Sequence, residues 1–160
     1  MTVAIALKCK DGLVVACDSR TTKLYPTTSR AGSDTARKLH LVKLQDGNSF
    51  VIAEAGSTIL ASRLIQAVLT KASSATLTDR DSVRTVAENA IAALRQEIRT
   101  QCVSDEDFDK YLKDYDCTLM LAHYFNAEPF VFTFNPHSKL IFEVPDHIVS
   151  LAMAEFSHTF

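Results

Sequence analysis

The sequence lacks an excess of charge of either sign, long apolar runs and a secretory leader. Its 17 basic and 19 acidic residues give a net charge of −2, which excludes the basic footprint of nucleic-acid-binding proteins and any attraction to anionic membranes. The apolar runs are only a few residues long, too short for a transmembrane helix, and the first residues show no signal peptide. We therefore expect a cytoplasmic protein without nucleic-acid or membrane partners.

A metal-binding cysteine pattern is also absent. Cys9, Cys17, Cys102 and Cys117 show no CxxC spacing and form no zinc-type arrangement with histidine. The five histidines are scattered without ligand spacing, so each is expected to be exposed or half-buried. We expect no metal, no organic cofactor and four reduced, mostly buried thiols.

What is present suffices for one globular domain. The chain has 160 residues, of which 47% are hydrophobic and 22% charged. A chain of this length buries enough apolar surface to fold without a metal or disulfide. We expect one domain over residues 1–160.

The periodicity of apolar residues groups strands apart from helices. Thr2–Lys10 alternates like a strand, and Asp11-Gly12 predicts a hairpin turn into Leu13–Asp18. A two-residue turn sets Asp18 opposite Ile5, on the other face from Thr2, and a bulge, a longer turn or a frayed first residue would change that pairing. Further strands are predicted at 39–44, 50–55, 118–125, 130–134, 140–144 and 147–152. The strands at 130–134 and 140–144 carry alternating residues that are expected to lie in the core, namely Phe130, Phe132, Phe134 and Phe142. One helix begins at Ser57 and a second carries an apolar stripe over 83–98. Residues 20–34 are expected to form a loop, and the acidic stretch 104–116 a solvated connection with a helical turn. This order indicates the α+β class.

Thr2 directly follows the initiator methionine. Removal of Met1 would give a free α-amine beside a hydroxyl, and the amine, with an ordinary pKa of about 7.7–8.0, is a built-in base for that nucleophile. Met-Thr beginnings are common, so this pair of residues alone does not predict catalysis.

Three segments together resemble blocks of proteasome β-type subunits. They are KCKDGLVVACDSRTT at 8–22, DTARKLH at 34–40 and IAEAGS at 52–57, in the family's order and at nearly its separations. The resemblance extends from Thr2 to Phe156. It implies an N-terminal-nucleophile hydrolase, with an αββα sandwich of antiparallel sheets.

The resemblance also implies catalytic roles. Thr2 would be the nucleophile, with its own α-amine as proton acceptor, and Lys38 would favour the alkoxide through its positive charge. Asp18 would keep Lys38 charged and oriented, and the Gly56 N–H would donate to the oxyanion. Simpler interpretations remain for three of these residues. Lys38 would be a solvated charge, Asp18 a residue that starts a turn, and Gly56 a close-packing or capping glycine.

Three more positions correspond to substrate contacts in that family. Thr22 and Thr58 would bind substrate, Thr22 through a substrate backbone added as a strand. Glu54 corresponds to the base of the specificity pocket, where a carboxylate would select a basic side chain before the cut bond. The equally weighted alternative is an exposed strand glutamate.

Two features depart from the family. Ala152-Met153-Ala154 stand where its members carry a Ser-Gly-Ser-like tripeptide whose first serine supports the threonine amine. The sequence ends about where the family's third helix would start, so we expect a fold truncated before its C-terminal helices.

The resemblance implies a threonine-type endopeptidase subunit that cleaves peptides or unfolded proteins through an acyl-enzyme on Thr2. Such subunits assemble into rings of like or different chains, served by an ATP-dependent unfoldase. Two alternatives stay open: a catalytically silent structural subunit, and an amidohydrolase of the same superfamily that acts on small amides.

Overall fold

The computed structural model describes residues 2–19, 21–24, 29–33, 37–44, 49–126, 128–138, 141–144 and 148–153. Within these residues the strands are β1 (Thr2–Cys9), β2 (Gly12–Cys17), β3 (Thr21–Leu24), β4 (Ser29–Ser33), β5 (Leu39–Lys43), β6 (Ser49–Gly56), β7 (Cys117–Phe125), β8 (Glu128–Phe134), β9 (Ile141–Glu143) and β10 (Ile148–Met153). The helices are α1 (Thr58–Ser73), α2 (Arg80–Gln101) and α3 (Asp105–Asp114).

The described strands form antiparallel sheets. Their orders are β10-β1-β2, β3-β4 and β5-β6-β7-β8-β9. The three-stranded sheet packs over the middle of the five-stranded sheet, while α1 contacts β6 and β7 and α2 contacts β8 and β9 on the other face. Strands grouped apart from helices confirm the α+β prediction.

Two hydrophobic layers hold the elements together. The larger lies between the helices and the five-stranded sheet and contains most of the long buried side chains, including Leu64, Leu94, Leu119 and Phe132. The smaller lies between the sheets, and among the side chains that the structure describes its buried members are Ala4, Ala6, Ala53, Met120, Ala122 and Val131.

The first hairpin turns one position earlier than its sequence predicts. Cys9 pairs with Gly12, which leaves Lys10 and Asp11 at the turn and Gly12 in β2. Each β2 residue therefore pairs with a β1 residue two positions nearer the N-terminus than predicted, so that Ala4 pairs with Cys17. Asp18 consequently follows β2 opposite Val3 rather than Ile5, so the predicted pairing was wrong.

Two polar stretches contain more regular structure than predicted. Residues 20–34 include the β3–β4 pair and are not simply a loop, although their Thr, Ser and Gly content resembles one. The acidic stretch holds a ten-residue helix, α3, in place of a single turn. Ser104 caps α3, and Phe108 and Leu112 bury its apolar side, which explains why a highly charged segment is helical.

Several burial predictions were also wrong. His123 is buried, and Phe142 is exposed near the sheet edge although Phe130, Phe132 and Phe134 are buried as predicted. All four cysteines are free thiols, but only Cys117 is buried. No helix among the described residues is both long and apolar enough to cross a bilayer.

Candidate active site

The Asp18 carboxylate links the two ends of the first hairpin. Its Oδ1 accepts a hydrogen bond of 2.8 Å from the Val3 amide, while the Asp18 amide donates to the Val3 carbonyl at 3.0 Å. These two bonds extend the hairpin one residue pair beyond the strand ladder. They fix the carboxylate beside the backbone that follows Thr2.

The second oxygen of this carboxylate binds the ammonium of Lys38. Nζ donates to Oδ2 at 3.0 Å, and Lys38 is only 4% exposed. A buried ammonium requires a counter-charge and hydrogen-bond acceptors, which Asp18 helps to supply. The interpretation of Lys38 as a solvated charge is therefore wrong, and so is that of Asp18 as a simple turn residue.

Thr2 is described through its backbone alone. It is the first residue of β1 and pairs with Met153 of β10, while Val3 pairs with Ala152. Two of the three residues predicted to stand in place of a Ser-Gly-Ser tripeptide, Ala152 and Met153, thus lie alongside the start of the chain. Ala154, the Thr2 side chain and Met1 lie outside the described structure.

Gly56 closes β6 at the turn into α1. Its φ of 96° lies in the left-handed region that glycine adopts without strain, so the position has a conformational reason for its residue type. The Ser57 amide donates a hydrogen bond to the Asp116 carbonyl at 2.8 Å, on the side of β7. Because successive N–H groups along a strand point to opposite neighbours, the Gly56 N–H points away from β7, toward the side on which Lys38 lies. Ser57 also caps α1.

A side-chain network supports this turn from the far side of β7. Asn135 donates from Nδ2 to Oδ1 of Asp116 at 2.7 Å and to Oγ1 of Thr118 at 3.3 Å. Its Oδ1 accepts from the amides of His137 and Ser138. Asn135 therefore ties the end of β8 to Asp116, whose backbone in turn holds Ser57.

Glu54 is buried, which rules out the exposed strand glutamate. It lies opposite Leu119 on the helix side of the five-stranded sheet, and its amide donates to the Lys38 carbonyl at 3.1 Å. Burial raises the pKa of its carboxyl, and the charges of His40 and Lys38 act against that rise. Oε2 lies 3.4 Å from Nε2 of His40.

The structure thus brings together Asp18, Lys38 and Glu54 of the predicted site residues. Cys17 lies in the same electrostatic environment: burial, followed by the charge of Asp18, raises the pKa of its thiol. Thr58 is exposed at the first position of α1, and Thr22 is described only through its backbone in β3, where the pairing with β4 has an irregularity.

Sequence reasoning missed His40, Asp116 and Asn135. His40 stands two residues after Lys38, at the spacing that puts side chains on one face of a strand, which is a usable signal. Asp116 and Asn135 carry no local signal because their contact depends on the pairing of β7 with β8.

The cavity near the start of α2 lies apart from the predicted site residues. A cavity of about 530 Å³ is lined mainly by charged residues at the start of α2 and by the β7–β8 turn, and none of the predicted site residues lines it. Among the residues that the structure describes, no three potential metal ligands converge.

Comparison with known proteins identifies the fold. The sequence matches no family model and no curated protein. Solved structures do match, and those named below do so at probability 1.00. Anbu from Yersinia bercovieri, described as an ancestral beta-subunit, has a TM-score of 0.67 and 18% identity over 94% of this chain and 60% of its own. HslV from Trypanosoma brucei has a TM-score of 0.57 and 18% identity over 94% of this chain and 71% of its own.

A third match is a helical assembly of the Anbu complex from Pseudomonas aeruginosa, with a TM-score of 0.59 and 19% identity over 96% of this chain and 61% of its own. The chain therefore spans about 60% of the length of the Anbu subunits that it matches. It has the N-terminal-nucleophile hydrolase fold of the proteasome-like Anbu and HslV subunits.

Proposed function

We propose that the chain is a subunit of a proteasome-like assembly in which Thr2 is the nucleophile of a threonine-type endopeptidase. The observation that carries the proposal is the Asp18 carboxylate, which accepts from the Val3 amide at 2.8 Å and from the Lys38 ammonium at 3.0 Å. This carboxylate connects a buried cation to the backbone next to Thr2. Burying the Lys38 ammonium costs free energy, and charges that are buried at such a cost are common at catalytic sites.

The proposed reaction requires removal of Met1. The Thr2 α-amine then accepts the hydroxyl proton while the oxygen attacks the substrate carbonyl carbon. Lys38 stabilises the alkoxide character of the oxygen, and the Gly56 N–H donates to the oxyanion. Collapse of the tetrahedral intermediate breaks the C–N bond, and the leaving amine takes the proton. Water then hydrolyses the ester on Thr2, which releases the second product and restores the hydroxyl.

Substrate binding follows from the same resemblance. We assign Thr22 to binding of an extended substrate backbone along β3, and Thr58 to the substrate-facing start of α1. Glu54 would select a basic side chain before the cut bond. Its burial beside Lys38 supports the assignment, because a carboxylate removed from water favours a cationic ligand.

The proposed setting is a cytoplasmic assembly of like or different chains, with unfolded protein delivered by an ATP-dependent unfoldase. The solved Anbu complex supports an assembled state, since its structure is a helical assembly of subunits with the same fold. No metal or organic cofactor takes part in the proposed reaction.

Intact-mass spectrometry tests the assignment of Thr2. We expect loss of Met1, followed by one adduct with an electrophilic peptide inhibitor that reacts with N-terminal threonine. Thr2→Ala should lose the adduct, whereas the control Thr100→Ala, at an exposed threonine of α2 outside the proposed site, should still form it. Retention of Met1, or no adduct on the wild-type chain, would contradict the proposal.

The second candidate is a catalytically silent structural subunit. One observation favours it: the residues that run beside Thr2 are Ala152 and Met153, and neither type carries a hydroxyl to support the amine. The inhibitor experiment separates the two candidates, because a silent subunit assembles but forms no adduct.

A further inference from the structure

Arg95 of α2 connects three parts of the fold through its guanidinium group. Nη1 donates to the Pro136 carbonyl at 2.6 Å and to the His137 carbonyl at 3.3 Å, in the loop that follows β8. The guanidinium carbon also lies 4.8 Å from the centre of the Phe108 ring of α3. The described contacts of Arg95 thus join α2, α3 and this loop, and the proposed reaction does not yet use them.

The surroundings of the guanidinium suit a cation that is partly withdrawn from water. Burial lowers the pKa of Arg95, and the charge of Asp109 on α3 acts against that change. Guanidinium stays charged in proteins, so the group keeps all its donors. Two carbonyl oxygens and an aromatic face supply favourable contacts for that charge. Arg95 is therefore held in one place against the loop.

The same loop is held from its other side by Asn135. The Asn135 Oδ1 accepts from the His137 amide at 2.7 Å and from the Ser138 amide at 3.2 Å. The Pro136 carbonyl and the His137 amide belong to one peptide group, and the His137 carbonyl and the Ser138 amide belong to the next. Arg95 therefore binds the oxygens of two consecutive peptide groups whose N–H groups are bound by Asn135.

These two peptide groups couple the orientation of Asn135 to the position of Arg95. A peptide group is planar, so its oxygen and its N–H cannot turn independently of each other. Removal of the guanidinium leaves the carbonyl of the buried Pro136 without this donor. Any turn of that group toward another donor carries the His137 N–H away from Asn135.

Asn135 in turn holds the segment that contains the proposed oxyanion donor. Its Nδ2 donates to Oδ1 of Asp116 at 2.7 Å, and the Asp116 carbonyl accepts from the Ser57 amide at 2.8 Å. The Ser57 amide belongs to the peptide group directly after Gly56. The φ of 96° at Gly56 sets how the Gly56 N–H is turned relative to that group. Hydrogen bonds and shared peptide groups thus connect Arg95 to the donor.

We propose that Arg95 is a positioning residue for the oxyanion donor, and that it acts through the two peptide groups that it binds together with Asn135. The inference rests on the proposed endopeptidase and on Gly56 as the donor. Arg95 does not touch the substrate in this assignment. Its effect falls on kcat rather than KM, because the oxyanion is absent from the bound substrate and develops in the transition state.

Peptide kinetics of Arg95→Met test the inference, since methionine keeps an unbranched side chain but has no donor. Loss of an oxyanion donor lowers kcat by about 10²–10³, so we expect its displacement to lower kcat by about tenfold while KM changes less than about twofold. Titration of the active sites with the threonine-directed inhibitor corrects each rate for the fraction of folded protein.

Two further variants separate positioning from a general loss of structure. Arg95→Lys keeps a cationic donor and should recover part of the lost kcat. The matched control is Arg84→Met, the same substitution at an exposed arginine of α2, which should keep the wild-type kcat. An unchanged kcat in Arg95→Met, or a kcat in Arg95→Lys no higher than in Arg95→Met, would overturn the inference.

A double variant tests the route through Asn135. If Arg95 acts through this residue, adding Arg95→Met to Asn135→Ala should lower kcat by less than about twofold beyond Asn135→Ala alone, because the two substitutions interrupt one connection. Losses that multiply would show that Arg95 acts by a different route, and the proposed role would then be wrong.

A second measurement does not require catalysis. In ¹H–¹⁵N NMR spectra of the full chain, Arg95→Met should shift the amide resonances of His137, Ser138 and Ser57, whereas Arg84→Met should leave them in place. If these shifts occur but the wild type cleaves no peptide, the proposed endopeptidase has failed and the connection from Arg95 to the turn has not. If the shifts end at the loop and do not reach Ser57, the connection itself is wrong.

Discussion

At the scale of single residues, the Asp18–Lys38 pair is the feature that most constrains the site. Lys38 is 4% exposed, so its charge depends on the acceptors that the fold provides. Asp18 is placed by the hairpin register, which sets it opposite Val3. The contact thus couples the position of the N-terminal strand to the electrostatics of a residue 20 positions later in the chain.

Replacing Asp18 with asparagine should separate these two roles. The amide oxygen of Asp18→Asn can still accept from Val3, but the Lys38 ammonium loses the carboxylate that it contacts at 3.0 Å. Because the aspartate side chain is itself 30% exposed, we expect a loss of about 2 kcal/mol in the free energy of unfolding, below the range for fully buried pairs. Urea denaturation measures it.

The exposed Asp11 at the hairpin turn offers the control. Asp11→Asn should change the stability by less than about 0.5 kcal/mol. If Asp18→Asn is as stable as the Asp11→Asn control, the ion pair does not contribute to folding, and the charge of Lys38 must be balanced in another way.

At the scale of elements, the alternating and helical patterns were sufficient to predict the first hairpin, although not its register, and the existence of strands β5 to β10 and of the first two helices. They did not predict that β10 pairs with β1 instead of joining the later strands. They failed where composition and tertiary packing disagree: the charged α3 is stabilised by the burial of Phe108 and Leu112, and β3 and β4 pair despite a loop-like composition. The His40–Glu54 contact was missed because it follows from strand register, which short-range patterns specify only weakly.

The turn between β6 and α1 should depend on Asn135. Asn135→Ala removes the donor to Asp116 and the acceptor for two backbone amides, so we expect a loss of about 2 kcal/mol in unfolding free energy. Because Asp116 holds Ser57 next to Gly56, kcat should fall more than KM rises in the proposed peptidase. Thermal denaturation and peptide kinetics measure the two effects.

Ser138→Ala is a suitable comparison, since it removes a weaker side-chain bond to the same loop, 3.5 Å long, and leaves Asn135 in place. An Asn135→Ala protein with reduced stability but unchanged kcat would show that the network supports the fold without positioning the turn.

At the scale of the whole molecule, the two hydrophobic layers differ in what they hold. The helix-side layer contains long aliphatic and aromatic side chains, whereas among the side chains that the structure describes the buried members of the inter-sheet layer are mostly alanine. The described buried side chains that attach the three-stranded sheet, which carries Thr2 and leads into Asp18, are thus smaller than those under the helices. We therefore expect this sheet to open at a lower free energy than the helices and the five-stranded sheet.

Two neighbouring residues of β7 allow a direct test. Leu119 and Met120 are both 0% exposed, but Leu119 faces the helices and Met120 faces the three-stranded sheet. Each substitution by alanine should cost about 2–5 kcal/mol. In native-state hydrogen exchange, Met120→Ala should speed exchange of β1 and β2 amides selectively, while Leu119→Ala should mainly speed exchange in α1 and α2. Equal loss of protection across all elements in both variants would mean that the molecule opens only as one cooperative unit, with the candidate site no less stable than the rest.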